Sequence, residues 1–436
     1  MEITLNYLKK HLTKEKSKNL IFTFLLALAL VLNAYKIGLA NVCLVLAVIY
    51  LFAFQKINFK LKLNLFIPIL FYVLMILSLT WSLDFKVSLK ALSKEVFFFI
   101  IPLLFIIKSD NTPFNKNVFY KIFTLLITIL GVFYMTKGLC NFLIHKDINY
   151  LLYHDIYRDG VGLIPMKVNA IYISWYTLMA YFMLFSINFN KILKWSLGII
   201  LTLFLFLQSS KNLILVFIIL NLIWIIYHYR FKFTLKRLVI LIPVLLLSYF
   251  PLNNFIERYQ HEFQNLFKSD FYYDNGVRHI GLQAVLDDNT TFSPNDYFSG
   301  TIFRLYQYIS FKKIIIDNEK ALGVGLNAVQ PEIVEVMKRD NLNEGYYEMN
   351  FHNQYLQSAA ELGLLGLIFT LWLLFEVFYV AIRDRDFLTL CFAISSSMLF
   401  FTESVFSVQR GIFFFVTLYC VFGYTHLNKN FLNKQN

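Results

Sequence analysis

The sequence has few charged residues for its length. Of its 436 residues, 15% are Asp, Glu, Lys or Arg, whereas 58% are hydrophobic and 18% are aromatic. A soluble globular domain carries about 25% charged residues, so this composition excludes a water-soluble surface. Cysteine is also scarce, and each of the four residues lies in or beside an apolar run: Cys43, Cys140, Cys391 and Cys420. We therefore expect an integral membrane protein with free thiols and no disulfide framework.

Long apolar runs recur along the chain. A helix needs about 20 apolar residues to cross the hydrocarbon core of a bilayer. Twelve runs approach that length: 19–35, 37–54, 63–81, 92–107, 119–140, 170–188, 195–210, 212–228, 238–251, 364–382, 387–406 and 411–427. They predict an all-α fold, a polytopic membrane protein of about twelve transmembrane helices.

A long polar segment separates the last three runs from the others. It predicts transmembrane helices 1–9 in residues 1–251, a large extracytoplasmic loop in 252–363, and transmembrane helices 10–12 in 364–436. A loop of this length is normally functional. Short helices are expected in it near 253–268, 301–317 and 329–340.

Basic residues alternate between the predicted loops. Lys and Arg favour short cytoplasmic loops, and with a cytoplasmic N-terminus every second loop is basic, for example at Lys191 and Lys194 or at Arg383 and Arg385. The net charge of +13 is therefore mostly a topology signal, and it places both termini in the cytoplasm. Nucleic-acid binding is excluded, because it would need these charges on one soluble face.

A polar stripe begins where the predicted loop ends. Gln354, Gln357, Ser358 and Glu361 recur at spacings of three and four, so they share one face of a helix. Polar groups within a membrane need partners, so this face should line a cavity. His352 lies at its mouth, where an imidazole, with an unperturbed pKa of about 6.5, is suited to proton transfer. The alternative is an interfacial histidine that only hydrogen-bonds its own loop.

A second candidate segment carries an arginine ahead of two glycines. Arg304 opens an amphipathic helix, Tyr308 follows one turn later, and Gly323-Val324-Gly325 comes after it. A guanidinium suits phosphate oxygens because its planar fork donates two hydrogen bonds and keeps its proton. The Gly-x-Gly loop alone is a weak signal of a phosphate cradle.

Two further cations are candidates for an anionic ligand. Lys211 lies in Ser210-Lys211-Asn212 between two apolar runs. It either faces an anionic headgroup or extends to the interface to avoid the cost of a cation in hydrocarbon. Arg278 lies in the predicted loop, where a salt-bridged surface charge is the common alternative.

Together these segments resemble the O-antigen ligase-like family of bacterial membrane glycosyltransferases, which includes O-antigen ligases and polymerases. The family's histidine is followed by ten residues and a glycine, as His352 is followed by Gly363. Arg304, Tyr308 and the later Gly-x-Gly resemble the family's loop arginine, aromatic residue and glycine pair. The chain departs from the family at two positions. Lys211 follows a serine where the family often has Ser-Arg, and the proline common before the Gly-x-Gly is missing, with Ala321 near its place.

The resemblance implies transfer of a glycan from undecaprenyl diphosphate to an acceptor hydroxyl, at the periplasmic loop of a protein in the bacterial cytoplasmic (inner) membrane. His352 would be the general base, and Arg304 would neutralise the diphosphate leaving group. The implied substrate-binding residues are Lys211, Arg278, Asn353, Tyr308 and Glu361. The scheme needs no metal and no other cofactor, and its partners are the lipid-linked donor, the acceptor and membrane lipids.

Three functions remain open at this point. A ligase would use a lipid A-core acceptor and is the first expectation, whereas a polymerase would extend a second lipid-linked repeat unit. No motif separates them, because both need the same diphosphate clamp. A lipid-linked oligosaccharide flippase or transporter would want several ionisable residues deep in the spans, where only Glu376 and Glu403 qualify.

Overall fold

The fold is described by a computed structural model that covers residues 2–54, 63–107, 114–152, 162–164, 168–229, 270–274, 276–287 and 290–424. Its α-helices are α1 (Glu2–Tyr35), α2 (Ile37–Phe54), α3 (Leu63–Leu77), α4 (Phe85–Glu95), α5 (Phe97–Ile107), α6 (Lys116–His145), α7 (Ala170–Ser186), α8 (Lys191–Leu207), α9 (Lys211–Tyr229), α10 (Leu282–Leu286), α11 (Gly300–Phe311), α12 (Gln330–Arg339), α13 (Gln354–Arg383), α14 (Phe387–Phe400) and α15 (Gln409–Tyr424). One hairpin joins β1 (Phe271–Asp274) to β2 (Val277–Ile280). The helical content confirms the predicted all-α class.

Among the residues described, four helical segments are long and apolar enough to cross a membrane: Ile37–Phe54, Leu63–Thr80, Lys116–His145 and Gln354–Arg383. Shorter apolar helices accompany them at Asn19–Tyr35, Ala170–Ser186, Lys211–Ile226, Phe387–Phe400 and Gln409–Gly423. The total of about twelve spans stays a prediction, and the predicted span 238–251 lies outside the described residues. All four cysteines are free, as expected.

Aromatic rings fill the interior of the helix bundle. Trp175 on α7 stacks on Phe392 of α14 with ring centroids 6.0 Å apart, and it meets Phe414 of α15 edge-on at 4.6 Å. Its indole N–H donates to Ser395 Oγ at 3.0 Å, which satisfies the one polar atom of this buried side chain. Apolar side chains also cover the outside of the bundle, since Val42 on α2 is 56% exposed. An apolar exterior around an aromatic core is what a lipid-facing bundle requires.

The segment before α13 has a hydrophobic core of its own. Phe298, Ile302 and Tyr306 pack there against Ile333 and Met337 of α12. The predicted helix near 301–317 is α11 with the π-helical turn Lys312–Ile316, and that near 329–340 is α12. The hairpin was not predicted, and the expected helix at 253–268 lies outside the described residues. The position of this segment relative to the membrane stays a prediction.

The Gly-x-Gly loop docks on α13 backbone to backbone. Val324 N–H donates to Ala360 O and Gly325 N–H to Glu361 O, each at 2.9 Å, so these amides are not free to cradle a phosphate. Gly363 interrupts α13 with φ 66° and ψ −158°, a conformation that essentially only glycine adopts. The half of α13 before Gly363 carries the polar stripe and lies beside the Gly-x-Gly loop.

We expect Gly363→Ala to destabilise the protein. The required φ would cost about 1–3 kcal/mol in a residue with a Cβ, and that Cβ would collide with the carbonyl oxygen of Ala321. Gly198→Ala on α8 is the matched control, because its Cβ would lie 3.9 Å from Leu184 Cδ1, an ordinary contact. Thermal unfolding of both purified variants in detergent tests this, and equal midpoints would contradict it.

Candidate functional site

His352 lies in a sharp turn just before α13. Its φ is 45°, in the left-handed region that few non-glycine residues occupy. The next residue, Asn353, caps the helix, since its Oδ1 accepts the N–H of Leu356 at 3.1 Å. The helix therefore begins only after His352, whose ring is not part of the polar stripe and is 31% exposed.

Glu403 joins the two residues predicted to be catalytic. It lies in the connection between α14 and α15 and is 7% exposed. Its Oε2 is 3.6 Å from His352 Nδ1, and its Oε1 is 4.0 Å from Arg304 Nη2. The carboxylate thus lies between the imidazole and the guanidinium. This role was not predicted, because Glu403 is distant from both residues along the chain and stands out there only as an ionisable residue within a predicted span.

Arg304 is held at the site by backbone carbonyl groups. Nη1 donates to Gly300 O at 3.2 Å within α11, and Nη2 donates to Thr402 O at 3.4 Å. Its Nε is buried and has no hydrogen-bond partner, while the side chain is 37% exposed. The guanidinium is therefore anchored by two carbonyl groups, and Nη1 and Nη2 each keep a second N–H group that can donate to a ligand.

Tyr308 and Asn353 form a direct contact beside His352. Asn353 Nδ2 donates to Tyr308 Oη at 2.6 Å. Burial raises the pKa of the Tyr308 hydroxyl, and the hydrogen bond from Asn353 opposes this shift. Asn353 is 2% exposed and serves as a helix cap, whereas Tyr308 is 42% exposed. Tyr308 is thus the more accessible of the two for a substrate.

The predicted cation at the α8–α9 connection lies at the same end of the bundle. Lys211 is the first residue of α9. Its neighbour Asn212 donates from Nδ2 to Thr402 Oγ1 at 2.7 Å and to Met398 O at 3.0 Å. Thr402 is also the residue whose carbonyl group accepts from Arg304. The start of α9 is therefore anchored to the connection that carries Glu403.

A protein-family model described as O-antigen ligase matches residues 196–371. The match supports an O-antigen ligase-like family for this segment of the chain. The match includes Lys211, Arg304 and His352, whereas Glu403 lies beyond it. The family comprises ligase-type and polymerase-type glycosyltransferases, and the apolar helices agree with a bacterial membrane protein. A comparison with curated proteins finds no match.

Within the segment that matches the O-antigen ligase family, Arg278 is paired with another residue. Its Nε and Nη2 donate to the two carboxylate oxygens of Asp296 at 2.7 and 2.6 Å, and its guanidinium lies 4.5 Å from the ring centroid of Phe271. The hydrogen bond to Asp296 raises the pKa of Arg278. The two guanidinium donors that a diphosphate would need are therefore occupied by Asp296. This pairing favours the interpretation of Arg278 as a surface salt-bridge residue.

The polar stripe of the family-matched segment faces a cavity, as predicted. Gln354, Gln357, Ser358 and Glu361 line this small space together with Glu95 of α4. Glu361 accepts from Gln357 Nε2 at 2.5 Å and lies on α13 about two turns after the cap Asn353. Glu361 therefore lines the interior cavity, whereas His352 lies in the turn before α13. Substrate binding by Glu361 stays a prediction.

These contacts define what the site can do chemically. An imidazole beside a carboxylate is the arrangement of a general base whose tautomer is fixed by its partner. A partly exposed guanidinium beside it can stabilise negative charge that develops on a leaving group. The cluster therefore combines a proton acceptor with an anion-stabilising group, the two functions that glycosyl transfer from a diphosphate requires.

Proposed function

We propose that the protein transfers a glycan from undecaprenyl diphosphate to an acceptor hydroxyl, as an O-antigen ligase that acts on lipid A-core. The observation that carries the proposal is the convergence of His352 and Arg304 on Glu403, at 3.6 and 4.0 Å. The match of residues 196–371 to an O-antigen ligase family supports the reaction class.

His352 acts in this proposal as the general base. Its Nδ1 faces Glu403, which favours a proton on Nδ1 and leaves Nε2 as the acceptor. Nε2 takes the proton of the acceptor hydroxyl while its oxygen bonds to the anomeric carbon. The 3.6 Å separation from Glu403 exceeds hydrogen-bond length, but such bonds are often long before substrate binds.

Arg304 stabilises the leaving group in the same step. The bond between the anomeric carbon and the phosphate oxygen breaks, and its electron pair leaves with the lipid diphosphate. The added negative charge develops next to the guanidinium, whose donors are already positioned by Gly300 and Thr402. Lys211, at the start of α9, is the second cation proposed to contact the diphosphate.

Transfer by the purified protein tests the proposed function. The protein is incubated with an undecaprenyl-diphosphate-linked glycan and either lipid A-core or a second lipid-linked glycan, without added metal. Glycan on lipid A-core supports the ligase, and a lengthened lipid-linked glycan identifies a polymerase instead. No transfer to either acceptor, with the folded protein verified by thermal unfolding, would overturn the glycosyl-transfer proposal.

We predict opposite membrane sides for the segment that carries His352 and for the α7–α8 connection. Single cysteines at Asn343 and Lys191, both exposed positions, are introduced into a variant without the four native cysteines. An impermeant thiol reagent applied to intact cells, with the outer membrane permeabilised, should label the first and not the second. Lysed cells provide the control, since both sites should then react. Labelling at 191 alone would reverse the orientation and remove the site from the periplasm.

A further inference from the structure

His352 is held in a backbone conformation that a histidine does not favour. Its φ of 45° lies in the left-handed region, where an L-residue is less stable by about 1–2 kcal/mol. Such conformations persist only where the surrounding structure imposes them, and they cluster at functional sites. The residues that impose this one therefore bear on how the imidazole reaches Glu403.

Asn350 makes the contact that closes the turn. Its Oδ1 accepts the backbone N–H of His352 at 2.9 Å. This is an Asx turn, in which a side-chain oxygen replaces the backbone carbonyl group of an ordinary turn. The bond directly restrains the peptide group before His352, so it acts on the φ angle that is unusual.

One face of α11 supports the turn from the other side. Arg304, Gln307, Tyr308 and Phe311 follow one another at spacings of three, one and three, so they share this face. Gln307 is fully buried, and its Nε2 donates to the carbonyl oxygen of Asn350. Tyr308 accepts from Asn353, and the ring of Phe311 packs edge-on against Phe351 at 5.8 Å. Residues 350, 351 and 353 are thus each held by this helix.

We propose that Gln307 and Asn350 are positioning residues that keep the His352 imidazole directed at Glu403. This inference rests on the proposed role of His352 as general base. Without the two hydrogen bonds, residue 352 is free to adopt the negative φ values that a histidine prefers. The ring would then leave Glu403, and Nε2 would lose its alignment with the acceptor hydroxyl. Alignment of this kind affects the rate of the bound complex more than the binding of substrate.

Kinetics of four variants test the proposal. Asn350→Ala removes the acceptor, and Gln307→Met removes the donor while it keeps the side-chain volume. We expect each to lower kcat about 10-fold, the order of the bias against the left-handed conformation, with KM little changed. Asn350→Asp keeps an acceptor oxygen and should restore most of the rate. Gln330→Ala is the matched control, because Gln330 Nε2 binds Tyr347 O and Met349 O in the same loop and makes no bond to residues 350–352.

A double-variant comparison separates positioning from general loss of structure. If Asn350 and Gln307 act through His352, their replacement should cost nothing further in a His352→Ala background. An additional 10-fold loss in that background, or an equal loss in Gln330→Ala, would overturn the proposal.

Chemical modification of His352 gives a result that does not depend on transfer. The rate of its reaction with diethyl pyrocarbonate is followed by peptide mass spectrometry at one pH. We expect a several-fold faster reaction in Asn350→Ala and Gln307→Met, because the ring is released from Glu403. An unchanged rate in both variants would overturn the inference. If the wild-type protein transfers glycan to neither acceptor, the proposed function fails, but this measurement still decides whether the two residues hold the ring.

Discussion

Replacement of His352 by alanine is expected to lower glycan transfer by a factor of about 10²–10⁴, the usual contribution of one positioned proton acceptor. The amount of protein in the membrane should stay normal. The reason is structural, since the ring is 31% exposed and its Nδ1 makes no hydrogen bond. The cap of α13 is provided by Asn353 and does not depend on it.

Surface glycan in cells and transfer by the purified protein measure the effect. His279→Ala is the matched control, because His279 lies in the same segment and stacks on Tyr272 at 4.7 Å. It should keep the rate of transfer and lose some thermal stability. Wild-type rates in His352→Ala would exclude the general base. Disappearance of that variant from the membrane would instead show that the histidine is a structural residue of its loop.

The dependence of the transfer rate on pH is an independent test of His352 as the general base. A protonated imidazole cannot accept a proton, so transfer by the native protein should fall on acidification. The residual rate of His352→Ala should lack that fall. Glu403→Gln keeps the shape of the partner without its charge, and it should give an intermediate rate.

The parts of the site that could be predicted from the sequence are those set by local spacing. His352, Asn353 and the stripe up to Glu361 lie within one short stretch, so the helical period alone describes their arrangement. Arg304 and Tyr308 are one turn apart on α11, which the amphipathic pattern predicted. The cavity beside the stripe also followed from the need of buried polar groups for partners.

The missing parts depend on contacts between distant segments. Glu403 reaches the site only because the α14–α15 connection packs over the turn before α13, and no local pattern encodes that contact. Likewise, the partner of Arg278 is Asp296, which lies 18 residues further along the chain, beyond the hairpin and α10. The hairpin itself had a local signal, the Asn275-Gly276 dipeptide, which is typical of tight β-turns. The hairpin was not predicted, because the helical periodicity of the neighbouring residues is the stronger pattern.

Arg304→Ala is expected to abolish detectable transfer, since loss of one group that stabilises transition-state charge costs about 10²–10³ in rate. Arg304→Lys should restore only part of it. Arg304 reaches Gly300 O with Nη1 and Thr402 O with Nη2 and still lies 4.0 Å from Glu403. An ammonium group keeps the charge but cannot span these positions with a planar fork. Full activity of the Lys variant would show that charge alone matters.

The control for this prediction is Arg339→Ala, which removes a cation of the same segment that is 63% exposed and should leave transfer unchanged. Expression of Arg304→Ala should stay normal, because a pair at 4.0 Å with a side chain 37% exposed adds little stability.

The alternative is that Arg304 acts only by holding Glu403 in place. In that case the double variant Arg304→Ala/Glu403→Gln would transfer as fast as Glu403→Gln alone. A leaving-group role predicts a further fall of about 10²–10³ in the double variant. Full activity of Arg304→Ala would instead assign the diphosphate to another cation, with Lys211 as the next to test.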